Sequence, residues 1–222
     1  MKITIVTGVW KRPEVFEMFA KGIENLGVEV RVIVAGSEGE TSRKMVEKHG
    51  FDYIEVPNRP LSNKMNATTR AAKGSDYVIC MGSDDIISPE LFQEYLRYMN
   101  EGYDFVGLTD FYFYDTESKR AMYWGGYADK RKGISIGAGC VISAKLLNRM
   151  CHEPWRNGLN KGLDSSMQRR INGKVGKFSL KEKGLFALDI KSSTNITPFE
   201  LWQNSSYIDA QIIREQFPYI FE

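Results

Sequence analysis

Asp84 and Asp85 stand side by side in Tyr77-Val78-Ile79-Cys80-Met81-Gly82-Ser83-Asp84-Asp85-Ile86-Ile87-Ser88-Pro89, directly after an apolar run and just before a helix start. Adjacent carboxylates offer hard oxygen ligands that suit Mg²⁺ or Mn²⁺, and such a cation can clamp a diphosphate. Asp is also common before helices, but Ser88 next to Pro89 already supplies the cap and the first turn, which leaves both acids surplus to capping. Like charges this close repel unless a cation or solvent relieves them. A further carboxylate, Asp164 in Gly162-Leu163-Asp164-Ser165-Ser166-Met167, heads a later helical pattern. It reads either as an N-cap or as a general base, and a helix dipole would favour its ionised form in both roles.

Two other segments carry polar chemistry. Residues 189–199 follow an apolar run and are rich in hydrogen-bonding groups. They would fold over a diphosphate with Lys191 donating charge, or form a turn-rich connection whose Asn, Ser and Thr bond their own backbone. Tyr123-Trp124-Gly125-Gly126-Tyr127 is an aromatic cluster broken by glycines, which packs a hairpin or presents rings for stacking. His49 and His152 have no matching ligand constellation around them.

The elements that must position these groups alternate through the first hundred residues. Strand patterns at 2–7, 28–35, 52–56 and 77–81 alternate with helical patterns at 12–26, 41–49 and 63–73, and a helix begins near Pro89. Such alternation predicts an α/β fold, a mostly parallel sheet with helical crossovers on both faces, and a single domain over residues 1–222. The acid pair then lies in the crevice beyond the strand ends, where open α/β sheets bind ligands. Further on, residues 104–114 read as one long strand and 119–124 as its returning partner. A glycine-rich loop over 133–139 precedes apolar 140–142, and helical patterns follow at 144–150 and 164–171.

With 42% hydrophobic residues in 222, the chain is long enough for one substantial core. It runs from Met1 into a strand pattern without a signal-peptide layout or a membrane-length apolar stretch, so the expectation is a cytoplasmic protein. Cys80, Cys140 and Cys151 lack metal-type spacing and read as free thiols. Charge is unevenly spread: residues 1–118 carry 13 basic and 19 acidic side chains, residues 119–191 carry 16 and 5, and residues 192–222 carry 1 and 4. A middle segment at +11 favours an anionic partner or forms a solvated face.

Taken in order, Thr7 with Arg12-Pro13, the segment from Asn63 to Tyr77 with its Asn66 and Ala72-Lys73-Gly74, and the stretch holding Asp84-Asp85 resemble family 2-type glycosyltransferases of the GT-A fold. The resemblance implies a Rossmann-like mixed sheet flanked by helices, with residues 1–100 binding the nucleotide sugar and residues 101–222 binding the acceptor and carrying catalysis. It implies transfer of a sugar from a nucleoside diphosphate sugar, a UDP-sugar such as UDP-glucose, to an acceptor hydroxyl. Inversion at the anomeric carbon and dependence on Mn²⁺ or Mg²⁺ come with it. Carried over by position, Thr7, Arg12, Ser37, Lys64, Asn66, Ser83 and Asp85 bind the donor, Asp84 holds the metal and Asp164 is the catalytic base. Asp189-Ile190-Lys191 followed by Asn195-Ile196-Thr197 is similar to phage-type members, which places Lys191 and Asn195 at the donor as well. Gly82 stands where the family's Asp-x-Asp-Asp has its first acid, and Ala35-Gly36-Ser37-Glu38 replaces its Asp-Gly-Ser.

On this resemblance the +11 segment faces the acceptor, which points to nucleic acid carrying a hydroxymethylated base, as for a phage DNA-modifying enzyme in host cytoplasm. A duplex would require base flipping, with Trp124 or Tyr127 as the stacking surface. Three other readings compete. One is a transferase building a cell-surface glycan, whose cations meet anionic lipid head groups. Another is a non-catalytic protein that binds sugar nucleotides or nucleic acid. The third, a nucleotidyltransferase, lacks the glycine-rich signature expected after the first strand.

Overall fold

Runs of Val and Ile, whose branched side chains suit a pleated sheet buried on both faces, build the central layer. In the computed structural model, which describes residues 1–192, 199–202 and 204–221, this layer is a seven-stranded sheet. The amino-terminal strands are β1 (Ile3–Gly8), β2 (Arg31–Gly36), β3 (Asp52–Glu55) and β4 (Tyr77–Cys80), linked by helices α1 (Pro13–Glu24), α2 (Glu40–Glu47) and α3 (Leu61–Ala71). After β4 come β5 (Asp85–Ile87) and α4 (Pro89–Asn100), then β6 (Phe105–Leu108), β7 (Phe111–Asp115), β8 (Ala121–Trp124) and β9 (Cys140–Ser143). The chain continues through α5 (Ala144–Arg149), α6 (Leu163–Gln168), β10 (Val175–Phe178), α7 (Leu180–Lys183), β11 (Ala187–Lys191), β12 (Ser205–Ile208) and α8 (Ala210–Gln216).

The central order is β10-β6-β9-β4-β1-β2-β3, with β9 antiparallel to both its neighbours and the other pairs parallel. This is the mixed, mostly parallel α/β sheet that the sequence predicts. Strand alternation sends successive side chains to opposite faces. Ile5, Val34, Ile79 and Val141 accordingly join one buried cluster, while Val6, Ile33, Val78, Cys80 and Ile142 join another.

A second sheet, of order β12-β8-β7-β11-β5, was not foreseen. It exists because residues 104–114 do not form one strand. The chain breaks at Thr109-Asp110, so β6 stays in the first sheet and β7 starts the second. Asp110 anchors the step: its buried carboxylate accepts hydrogen bonds from the Leu180 N–H (2.6 Å), the Ser179 hydroxyl (2.5 Å) and the Tyr123 hydroxyl (2.8 Å).

Cys80 and Cys140 are buried opposite one another on β4 and β9, and Cys151 is exposed, all three as free thiols. No helix among the described residues is long and apolar enough to cross a membrane.

Truncating Asp110 strands several buried donors at once. Asp110→Ala is expected to lower the unfolding free energy by about 3 kcal/mol in urea titration. A loss under about 1 kcal/mol would show that these bonds contribute little to holding the break between β6 and β7.

Candidate active site

The acid pair sits at the hinge between the two sheets. β4 ends at Cys80, residues 82–84 turn, and β5 enters the second sheet antiparallel to β11, with Asp85 opposite Asp189. The Ile190 N–H donates to the Asp84 carbonyl oxygen at 2.7 Å, which locks the backbones together. Ser88 caps α4 by accepting from the Leu91 N–H at 3.2 Å, so the acids are indeed released from capping. One carboxylate oxygen from each of Asp84, Asp85 and Asp189 lies within 4.8 Å of the others.

Gly82 has a steric explanation. A Cβ there would fall 2.5 Å from Asp84 Oδ1 and 2.9 Å from Asp85 Oδ2, because both carboxylates fold back over this residue. A side chain there would displace both carboxylates from these positions, and the third carboxylate arrives from β11. Asp189 was missed as a ligand, although a strand's period of two already places Asp189 and Lys191 on one face.

Cations hold the acids from two sides. Arg12, at the amino-terminal boundary of α1, pairs with Asp84 Oδ2 at 2.5 Å and reaches the Ser83 hydroxyl at 3.2 Å. Lys191 is buried, donates to Asp189 Oδ2 at 2.5 Å, and lies over the rings of Phe113 and Trp202. Burial, and then the charges of Asp84 and Asp189, hold the Asp85 carboxyl well above the usual carboxylate range. Asp189 is pushed up to about 7, chiefly by burial; Lys191 pulls it down and Asp84 pushes it up. The set fits a hard divalent cation: its donors are all oxygen, and buried Asp189 Oδ1 has no hydrogen-bond partner among the described residues.

These groups line a cavity of about 550 Å³ that also receives Trp10, Asn58, Arg59, Lys161, Trp155 and Asp164. Asp164 lies in the first turn of α6, whose N-cap is Gly162 with no side-chain cap bond, so the N-cap alternative does not apply. Its Oδ2 instead accepts from the Tyr127 hydroxyl at 2.5 Å, and a Cβ on Gly137 would collide with Oδ1 at 2.3 Å. Burial, followed by the charge of Asp164, raises the Tyr127 hydroxyl pKa and keeps it a donor. Tyr127 is covered by Arg131 at 3.9 Å. Trp124 is buried against Phe113, Tyr127 and Trp202, which removes it as a free stacking surface.

Lys64 is buried in the lining of the same cavity. Its ammonium donates to the Val9 carbonyl (2.7 Å) and Asn58 Oδ1 (3.1 Å), with the Ser37 hydroxyl at 3.5 Å, and burial pulls it down to about 8. It thereby ties together the loops after β1, β2 and β3. Arg12, Lys64, Ser83, Asp84, Asp85, Asp164 and Lys191 all line the cavity, whereas Thr7, Ser37 and Asn66 do not. Thr7 is fully buried within β1. Asn66 lies two residues beyond Lys64, on another side of α3, and bonds Trp155 and Asn157 instead. Asn195 lies outside the described residues.

The raised carboxyls give stability a definite pH dependence. Asp85 and Asp189 hold protons in the folded state to higher pH than when unfolded. Their contribution is therefore fully present in acid and is lost as pH rises through about 7 for Asp189. In chelator-treated protein the Tm is expected to fall between about pH 5 and about pH 8, by about 2–4 °C for each kcal/mol lost. Asp189→Asn should flatten the curve, and an unchanged slope would contradict this assignment.

The sequence matches Glycosyl transferase family 2 over residues 14–168. No curated protein matches it. Similar solved structures include residues 1–349 of S. aureus TarS, with a TM-score of 0.67 at 11% identity over 86% of this chain and 60% of that one. The mannosyltransferase PcManGT from Pyrobaculum calidifontis, in complex with GDP-Man and Mn²⁺, has a TM-score of 0.61 at 11% identity over 90% and 58%. The bifunctional IspDF from Campylobacter jejuni has a TM-score of 0.55 at 12% identity over 81% and 50%. This chain thus spans 50–60% of the length of those three proteins, and at such identities the likeness is one of fold. With the family match covering well over half of its residues, the chain belongs to glycosyl transferase family 2 and has the GT-A fold.

Proposed function

We propose that this protein transfers a sugar from a nucleoside diphosphate sugar, in our reading a UDP-sugar, to an acceptor hydroxyl with inversion at the anomeric carbon. One observation carries the reading: Asp84, Asp85 and Asp189 share a single cavity with Asp164. The first three would hold Mn²⁺ or Mg²⁺, which when bound neutralises charge on a diphosphate. PcManGT, whose structure contains GDP-Man and Mn²⁺, supports the donor class and the ion by likeness of fold.

The chain's own residues divide the remaining work. The acceptor oxygen attacks the anomeric carbon, the bond from that carbon to the diphosphate oxygen breaks, and Asp164 takes the hydroxyl proton. Tyr127 orients Asp164 by donating to one oxygen, which leaves the other for the acceptor. Arg12 and Lys191 place positive charge where the leaving diphosphate gains negative charge. Lys64, Asn58 and Trp10 line the wall assigned here to the nucleoside. In this scheme residues 1–100 supply most of the donor side and residues 101–222 the acceptor side and the base, with Asp189 and Lys191 crossing that division.

The acceptor in this reading is anionic, because the basic excess falls in residues 119–191, where Asp164 also lies. Hydroxymethylated DNA in host cytoplasm is the specific acceptor proposed.

Asp164→Asn separates chemistry from binding. Donor binding by calorimetry should be retained, while turnover on the best acceptor falls by roughly 10²–10⁴-fold. Turnover that survives the change would remove Asp164 as the base.

A further inference from the structure

A second cavity, of about 490 Å³, lies between α6 and the loop of residues 156–162. Gly162, Ser165, Ser166 and Arg169 line it and follow the spacing of a single helical face, while Leu163 and Asp164 on the other flank line the first cavity. Lys161 lines both. The two cavities are thus neighbours along α6.

The second cavity receives Arg156, Lys161, Arg169 and Arg170 and no carboxylate. Several exposed arginines elsewhere are paired with acids: Arg31 with Asp52, Arg43 with Glu40 and Glu47, Arg70 with Glu153, and Arg97 with Glu94 and Glu101. Arg156, Lys161 and Arg169 make no ion pair among the described residues, and Arg170 donates to the Glu153 carbonyl while Arg70 takes that residue's carboxylate. The Arg156 N–H donates to the Ser166 hydroxyl oxygen at 2.9 Å, which fixes the loop against α6. Four exposed cations gathered around one concave, carboxylate-free space give it a positive potential that favours an anion. Two guanidinium forks beside serine hydroxyls match tetrahedral phosphate oxygens.

Resting on the reading of Asp164 as the base, we infer that this cavity binds a phosphate group of the acceptor and so presents a neighbouring hydroxyl to Asp164. Terminal monoesters and internal diesters share the required chemistry, and two probes tell them apart.

The test is amide chemical-shift titration of the full chain with inorganic phosphate and, separately, with the diester thymidylyl-thymidine, against sodium chloride at equal ionic strength. Saturable shifts at Gly162, Ser165 and Ser166 are expected with at least one probe, and the tighter probe names the source. Affinity should fall about tenfold or more in an Arg156→Gln, Arg169→Gln double variant, consistent with losing charge-assisted bonds. An unchanged Tm shows that the variant is folded; if the Tm falls, Arg169→Gln alone is used. Shifts no larger than those in sodium chloride for both probes, or equal affinity in the variant, overturn the inference. UDP binding measured on the same variant reports on the donor cavity separately, so its failure would count against the donor assignment and leave this cavity untouched.

Discussion

Three carboxylates held within 4.8 Å of one another repel, and the repulsion grows as water is excluded. That crowding is the constraint around which the site is organised. It is imposed by pairing β5 with β11, which sets Asp85 opposite Asp189. The surrounding features moderate it: Arg12 on Asp84, Lys191 on Asp189, and the Gly82 N–H on the Asp85 carboxylate. Even with these partners, Asp85 and Asp189 hold protons beyond the usual carboxylate range, so cation binding and proton release are coupled.

The same cluster draws on both sheets. The central sheet brings β1 and β4 side by side and delivers the loop of Arg12 and the turn of Asp84 to one edge of the crevice. The third carboxylate of the cluster lies outside that sheet. The second sheet supplies it through β11, and the break at Asp110 lets the chain leave one sheet for the other. Tyr127, in the loop after β8 of that second sheet, holds Asp164 of α6, so base and acid cluster share a scaffold.

Much of this was legible in the residues themselves. The alternation of Val- and Ile-rich runs with amphipathic helices gave the α/β order, and Ser88-Pro89 showed that Asp84 and Asp85 were not caps. What stayed hidden depended on long-range pairing. Residues 104–114 read as one strand because local pattern cannot show that Asp110 finds its partners at residues 123, 179 and 180. Asp189 was visible as a residue but not as a neighbour of Asp85, since strand register is set by the whole sheet. Asn66 was assigned to the donor by motif position, yet a fully buried amide on α3 is satisfied by the loop at 155–157.

The central claim is that Asp84, Asp85 and Asp189 together hold a divalent cation beside the donor diphosphate. The most direct measurement is an anomalous difference map from crystals grown with Mn²⁺ and UDP. The account predicts one manganese peak bounded by these three carboxylates and the diphosphate. A peak elsewhere, or bound UDP with no peak in the acid cluster, would contradict it.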